Sequence, residues 1–195
     1  MGQLKAIIGL ANPGPEYQAT RHNAGAWLLE ALLQDAGDSL RPEKKFFGRY
    51  ARIRLGDHEL HLLEPTTYMN RSGAAVAALC RFFKLAPSEL LVAHDELDLP
   101  PGAARYKSGG GHGGHNGLRD TISALGGARD FHRLRIGIGH PGDSRQVTNY
   151  VLSRPGKAER SAIDDAIAVC LATLPHAAAG DWAKAMNRLH SFSAT

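Results

Sequence analysis

The segment KAIIGLANPG, residues 5–14, decides the fold class of this chain. Lys5 to Asn12 is a short apolar run that ends in Asn-Pro-Gly, which is typical of a buried strand stopping at a turn. Apolar residues then recur at helical spacing between Ala24 and Gly37, and Asn23 is predicted to cap the first turn of that helix. The chain therefore opens as a strand followed by a helix, with His22 directly before the helix.

Strands and helices continue to alternate along the rest of the chain. The sequence predicts strands at 46–54, 59–63, 90–94, 103–107 and 131–139, and helices at 72–84, 118–125, 157–174 and 182–189. The sequence shows neither an internal repeat nor a linker. We therefore predict one α/β domain over residues 1–195, in which a mixed, twisted β-sheet is flanked by helices on both faces.

The composition is that of an ordinary globular protein. Of its 195 residues, 43% are hydrophobic and 22% are charged, which excludes a disordered or collagen-like chain. No apolar run approaches the roughly 18 residues of a membrane span, and MGQLKAIIGL lacks the basic start of a signal peptide, so we expect a cytoplasmic protein. Cys80 and Cys170 are the only cysteines, too few for a disulfide framework, and both are interpreted as buried free thiols.

Positive charge is concentrated in one part of the sequence. The net charge is +4, but residues 103–160 alone hold ten Lys and Arg against four Asp and Glu. Such a segment can attract a polyanion or can form a solvated basic face, and charge alone favours the solvated face.

Four polar clusters follow predicted strands, at residues 12–17, 68–70, 94–96 and 112–116. Ligands of open α/β sheets bind beyond the carboxyl ends of the strands, so four such ends can meet in one cleft. Taken singly, each cluster also fits an ordinary turn, a helix cap or a solvated loop. The site hypothesis therefore depends on their convergence.

The glycine-rich loop has a weak nucleotide-binding pattern. Gly109, Gly111 and Gly114 fit G-x-G-x-x-G, but the same pattern recurs at 137–142, and neither copy follows the long apolar strand of a dinucleotide-binding unit. The nucleoside triphosphate loop G-x-x-x-x-G-K-[ST] is missing from the sequence. These glycines are better interpreted as places where backbone passes close to a ligand.

Histidine chemistry is the remaining catalytic option. His112, His115 and Asp95 have the donor types of a two-histidine, one-carboxylate metal site, although their spacing does not form a helical pair. The sequence has no G-x-S-x-G elbow, and Cys80 lies on the apolar face of a predicted helix, so covalent catalysis is disfavoured. His22 fits a base that acts on water, and a following helix N-terminus is expected to disfavour its imidazolium form.

Four longer segments carry a specific resemblance. In order and spacing, the chain resembles the bacterial-type peptidyl-tRNA hydrolases at GLANPGPEYQATRHNAG (9–25), EPTTYMNRSG (64–73), HDELDLPPGAARYKSGGGHGGHNGLRD (94–120) and FHRLRIGIGHPG (131–142). The resemblance implies a single α/β domain that acts as a monomer, without metal or cofactor. It also implies hydrolysis of the ester that joins an N-blocked peptide to the 3′ end of tRNA.

The resemblance assigns roles to residues of the cleft. It implies that His22 is the catalytic base, that Asp95 orients it, and that Asn12 reads the blocked amino end of the substrate. Asn70 and Asn116 resemble the amides that hold the peptide backbone and the terminal nucleotide.

Further residues are assigned by the same resemblance to binding the tRNA. Those expected to contact the tRNA end or line the cleft are Tyr17, Tyr68, Met69 and His115. Those expected to bind acceptor-stem phosphates are Arg105, Lys107 and Arg135. These last three give the basic segment a functional interpretation.

Two positions depart from the family pattern. Ala11 stands where many members have glycine, and Glu64 stands where many have a basic residue. Glu64 puts any charge-based contact at that position in doubt. A non-catalytic tRNA- or RNA-binding module of the same fold is the alternative, and absence of ester cleavage would distinguish it.

Overall fold

The computed structural model describes residues 2–194, which contain a seven-stranded sheet in the order β2-β3-β4-β1-β5-β7-β6. The strands are β1 (Ala6–Gly9), β2 (Arg41–Glu43), β3 (Gly48–Leu55), β4 (His58–Pro65), β5 (Leu90–Glu96), β6 (Ala104–Ser108) and β7 (His132–Gly137). The helices are α1 (Ala24–Ala36), α2 (Ser72–Phe83), α3 (Asn116–Ala124), α4 (Val147–Val151), α5 (Lys157–Ala178) and α6 (Trp182–His190).

The sheet is mixed, as predicted. Strand β1 pairs in parallel with β4 and β5, and β5 pairs in parallel with β7, whereas β2, β3 and β6 run antiparallel to their neighbours. The carboxyl ends of β1, β4, β5 and β7 therefore share one edge. The chain passes from β4 across β1 to β5, so the strand order reverses at β1, which is where such sheets form a ligand-binding crevice.

Helices cover both faces of the sheet. On one face, α1, α5 and α6 bury residues such as Trp27, Ile163 and Leu189. On the other face, α2 and α3 bury Val76 and Leu118 against the sheet. The predicted fold class is confirmed. Among residues 2–194, no helix is both long and apolar enough to span a membrane.

Two glycines let α1 approach the sheet closely. A Cβ on Gly25 would lie 2.4 Å from the carbonyl oxygen of Ala93, and a Cβ on Gly9 would lie 2.5 Å from the carbonyl oxygen of Gly25. Side chains there would force the helix away from β1 and β5. The approach brings the short 3-10 turn Arg21–Asn23, which precedes α1, against the ends of these strands.

Several local predictions were wrong in detail. The side chain of Asn23 does not cap α1 and instead bonds to Asn12. Helix α3 begins at Asn116, earlier than predicted, because the imidazole of His115 accepts hydrogen bonds from the first turn. Strands and helices as short as β2 and α4 were not predicted, because three and five residues hold too little periodicity.

The two cysteines are buried free thiols, as predicted. Burial raises the pKa of Cys170 to about 12, so this thiol stays protonated at neutral pH. Cys80 lies on the buried side of α2, where burial raises its pKa to about 11.

Candidate active site

The four polar clusters of the sequence meet at one cleft of about 760 Å³. Its lining residues include Asn12, Tyr68, Met69, Asn70, Asp95, His115 and Asn116. Tyr17 lies in an adjoining groove that it shares with Asn12, Tyr68 and Asn70. The Tyr17 and Tyr68 rings meet edge to face with centroids 6.3 Å apart, and Tyr68 is 59% exposed.

Asp95 lies between two histidines in this cleft. Its Oδ2 is 2.8 Å from Nδ1 of His22, and its Oδ1 is 2.8 Å from Nε2 of His115. Nδ1 of His115 accepts hydrogen bonds from the backbone N–H groups of Gly117 and Leu118. Because that nitrogen is an acceptor, His115 carries its proton on Nε2 and donates it to Asp95. Both oxygens of the buried carboxylate are therefore engaged.

The environment of His22 favours a charged imidazole more than the sequence suggests. Burial lowers the pKa of His22, but the Asp95 carboxylate outweighs burial, so the pKa lies above its ordinary value. The net direction is therefore opposite to the one expected from the helix N-terminus alone. Burial also opposes ionisation of Asp95, yet His22 and His115 hold the pKa of that carboxyl well below its usual range. With Nδ1–H donated to Asp95, Nε2 of His22 keeps its lone pair.

The Asn12 side chain is fixed in one orientation. Its Oδ1 accepts a hydrogen bond of 2.7 Å from the backbone N–H of Met69. Because the side-chain oxygen is occupied, the NH₂ group is the part of this amide that remains for a ligand.

Asn23 holds the backbone of Asn12 in place. Its Oδ1 accepts from the Asn12 N–H at 2.9 Å, and its Nδ2 donates to the Asn12 carbonyl at 3.0 Å. Sequence patterns miss this role because an asparagine before a helix is an ordinary cap, and nothing in its local pattern points to residue 12.

His94 is a second buried histidine beside this centre. Its Nδ1 donates to the carbonyl of Asp95, and its ring lies 5.2 Å from that of His115. Burial and the neighbouring His115 lower the pKa of His94 to about 4. His94 is thus neutral at pH 7.

Two of the three cations predicted to bind tRNA line the cleft. Lys107 and Arg135 line it, and Arg135 Nε pairs with Glu96 Oε1 at 2.8 Å. Arg105 lies opposite Arg135 in the β6–β7 register and is exposed, but it does not line the cleft.

The glycine-rich loop rests on a buried arginine. Arg133 donates from Nη1 to the Gly111 carbonyl and from Nη2 to the Gly110 carbonyl, both at 2.6 Å. Strand β6, which precedes the loop, is an antiparallel edge strand. It therefore differs from the parallel strand that opens a dinucleotide-binding unit.

A metal-ligand set is also present, but it differs from the one considered on sequence. Ligand atoms of His22, Asp95 and His115 lie within 4.8 Å of one another. His112 is not part of this group, and its Nδ1 accepts instead from the N–H of Gly114. The 2.8 Å contacts on Asp95 are ordinary hydrogen-bond lengths, so a metal here would have to displace the protons that form them.

Comparison with known proteins gives the family. The family model described as peptidyl-tRNA hydrolase matches residues 6–195. The chain is 70% identical to a peptidyl-tRNA hydrolase of Chromohalobacter salexigens, with 100% of both chains covered, and 60% identical to that of Marinobacter nauticus, covering 97% of this chain and 96% of that one. The crystal structure of peptidyl-tRNA hydrolase from Acinetobacter baumannii matches with a TM-score of 0.95 and 45% identity over 99% of this chain and 97% of that chain. The chain belongs to the peptidyl-tRNA hydrolase family, and it is an enzyme that hydrolyses peptidyl-tRNA.

Proposed function

We propose that His22 is the general base of this hydrolysis and that Asp95 orients it. The observation that carries the proposal is the shared carboxylate, which bonds Nδ1 of His22 and Nε2 of His115 at 2.8 Å each. This arrangement fixes the His22 tautomer and leaves Nε2 to accept a proton.

The reaction follows from this tautomer. Nε2 of His22 takes a proton from water as the water oxygen attacks the ester carbonyl, which forms a tetrahedral intermediate. The bond to the ribose oxygen then breaks, and the imidazolium returns its proton to that oxygen. The products are the free tRNA and the peptide carboxylic acid, which ionises at neutral pH. Asp95 stabilises the imidazolium between the two steps.

Asn12 is proposed to recognise the blocked amino end. Its NH₂ group donates to the extra amide carbonyl that a blocked substrate has and a free aminoacyl ester lacks. The Met69 N–H supports this role because it occupies the Asn12 oxygen. The neighbouring amides of Asn70 and Asn116 are proposed to hold the peptide backbone and the terminal nucleotide.

The tRNA is proposed to bind along the cleft and the basic residues beside it. Its 3′ CCA end enters the cleft past Tyr17 and Tyr68, and its acceptor stem lies on Arg105, Lys107 and Arg135. The exposure of Tyr68 and of the two β6 cations supports this path. We also propose that the protein is monomeric and acts in the cytoplasm, where translation produces its substrate.

The test is to remove the base. The variant His22→Ala is expected to lower turnover of an N-acetyl-aminoacyl-tRNA by about 10²- to 10⁴-fold, with tRNA affinity nearly unchanged. His58→Ala, at the first residue of β4, is the matched control and should keep full turnover. Turnover of His22→Ala close to that of the unmodified protein would contradict the proposal.

A chelator distinguishes the metal alternative. If His22 acts as a free base, incubation with EDTA leaves turnover unchanged. Loss of turnover that added Zn²⁺ restores would instead place an ion at His22, Asp95 and His115.

A further inference from the structure

Arg21 is buried, although arginine is usually exposed on protein surfaces. It lies in the same 3-10 turn as His22, and its side chain is only 8% exposed. Its Nη1 donates to the Tyr150 carbonyl at 3.2 Å and to Ser153 Oγ at 2.5 Å, and its Nη2 pairs with Glu159 Oε1 at 3.3 Å. Two of these contacts join Arg21 to residues 150–153 and the third joins it to the first turn of α5. A buried guanidinium bonded to residues so far away in the sequence indicates a specific positional role.

Other bonds reinforce the same junction. The Arg21 guanidinium carbon lies 3.9 Å from the centroid of the Tyr150 ring, and the Arg21 backbone N–H donates to the Ser153 carbonyl at 3.0 Å. The Tyr150 hydroxyl in turn donates to the Ile138 carbonyl, just beyond β7. Tyr150 is thus held by Arg21 at its backbone carbonyl and ring, and by the Ile138 carbonyl at its hydroxyl.

The segment attached by Arg21 forms part of the cleft. Val147, Thr148, Val151 and Leu152 all line it, and Leu152 also lines the adjoining groove with Tyr17. We call residues 147–153 the α4 wall. Helix α4 has only five residues, too few to be stable without tertiary contacts. The position of the wall therefore depends on what attaches it.

We propose that Arg21 is a positioning residue that attaches the α4 wall to the turn carrying His22, and so sets how tightly the cleft holds its substrate. The inference rests on the proposed function only in placing the reacting ester near His22. His22 is held independently by Asp95 and by the close packing at Gly25. Loss of the Arg21 contacts therefore releases the wall before it moves the base.

Because His22 and the α4 wall are held by different contacts, we expect loss of the Arg21 contacts to change KM and not kcat. In Arg21→Gln, KM for an N-acetyl-aminoacyl ester of a CCA trinucleotide should rise about 5- to 10-fold, as expected when several charged hydrogen bonds are lost. The value of kcat should stay within about twofold of that of the unmodified protein, and the shape of the kcat–pH profile should not change. Amide hydrogen exchange at residues 150–153 should become faster, because the wall opens more often.

Three further variants sharpen the test. Arg21→Lys keeps the charge but lacks the planar fork that reaches three acceptors, so its KM should lie between those of Arg21 and Arg21→Gln. Ser153→Ala removes one acceptor on the exposed side and should have little additional effect in the Arg21→Gln background. Arg145→Gln is the matched control, because Arg145 precedes the wall and pairs only with Asp143 among the ion pairs of residues 2–194.

The outcomes separate this inference from the base assignment. Unchanged KM together with unchanged exchange at 150–153 in Arg21→Gln would overturn the role of Arg21. A fall in kcat at constant KM would also overturn it, because that result describes a general loss of active protein. Hydrogen exchange does not depend on turnover. A failure of the His22→Ala test would therefore leave this measurement fully interpretable.

Discussion

The two histidines bonded to Asp95 differ in their other contacts. Nδ1 of His115 accepts from two backbone N–H groups, whereas the carboxylate raises the pKa of His22. Asp95 thus accepts a hydrogen bond from His115 and is the counterion of His22, the proposed base. A base is active only when it is neutral, so the rate should increase as pH rises through the pKa of His22.

Replacing the carboxylate tests this arrangement. In Asp95→Asn, the charge that raises the pKa of His22 is removed while burial, which lowers it, remains. The acid limb of the kcat profile should therefore move to lower pH, and the maximal kcat should fall because the imidazolium loses its counterion. Profiles of kcat between pH 5 and 9 measure both effects. Asp57→Asn, on an exposed turn, is the control, and an acid limb that stays in place would contradict the pairing.

On the proposed assignment, Asn12 distinguishes substrates with a blocked amino end from those with a free one. Asn12→Asp would still accept from Met69 N–H, but it would present an oxygen in place of the NH₂ group. That oxygen repels an amide carbonyl and attracts an ammonium. The ratio of kcat/KM for blocked over free aminoacyl-tRNA should fall by about 10-fold or more, since each exchanged hydrogen bond is worth about 1–3 kcal/mol. Asn187→Asp on α6 is the control, and an unmoved ratio in folded Asn12→Asp would place the selectivity elsewhere.

At this scale the sequence is informative only where chemistry is local. His22, Asp95 and Asn12 stand in the motifs that carry the family resemblance, and the resemblance implies a role for each. Arg21 and Asn23 stand in the same motif as His22 but were given no catalytic or binding role, because their roles lie in bonds to partners 132 and 11 positions away. No periodicity or spacing in the sequence records such a bond.

At the scale of elements, the placement of α1 controls the geometry of the site. The helix carries the His22 turn at its start, and its close contact with β1 and β5 occurs through Gly9 and Gly25. Amphipathic elements such as α2 and α6 are predictable from their spacing. The bounds of α3 are not, because a histidine rather than a Ser, Thr, Asp or Asn side chain caps it.

Adding one methyl group tests that contact. In Gly25→Ala, the new Cβ meets the Ala93 carbonyl oxygen at 2.4 Å and the Leu10 backbone nitrogen at 2.7 Å, and neither backbone atom can move cheaply. We expect a loss of about 1–3 kcal/mol in the free energy of unfolding and a disproportionate fall in kcat, because α1 shifts His22 away from Asp95. Urea unfolding and kcat measured on the same samples report the two effects. Glu30→Ala on the exposed side of α1 should change neither, and a stable Gly25→Ala with full kcat would show that α1 tolerates displacement.

At the scale of the whole molecule, the cations are distributed unevenly across the sheet. Lys107 lies on the edge strand β6 and is exposed, whereas Arg135 on β7 is paired with Glu96. Lys107 takes part in none of the ion pairs found among residues 2–194, so it contributes nearly a full charge to a bound phosphate, whereas a paired arginine contributes less. The net charge of +4 does not convey this difference, because it sums over both faces and both ends of the sheet.

Salt dependence of tRNA binding separates the two cations. Each phosphate neutralised by a cation releases counterions, so Lys107→Ala should lower the slope of log affinity against log salt by about 0.7–0.9. Arg135→Ala leaves Glu96 unpaired beside the RNA, so its affinity should fall further than that of Lys107→Ala, and the added change Glu96→Gln should recover part of the loss.

Binding is measured with His22→Ala protein, so that the ester survives. Arg54→Ala on β3, five strands or about 24 Å from β6 at ordinary strand spacing, is the matched control for lost charge. If all three single variants show the same slope, the wall of the cleft carrying Lys107 and Arg135 is a solvated face and the acceptor stem binds elsewhere.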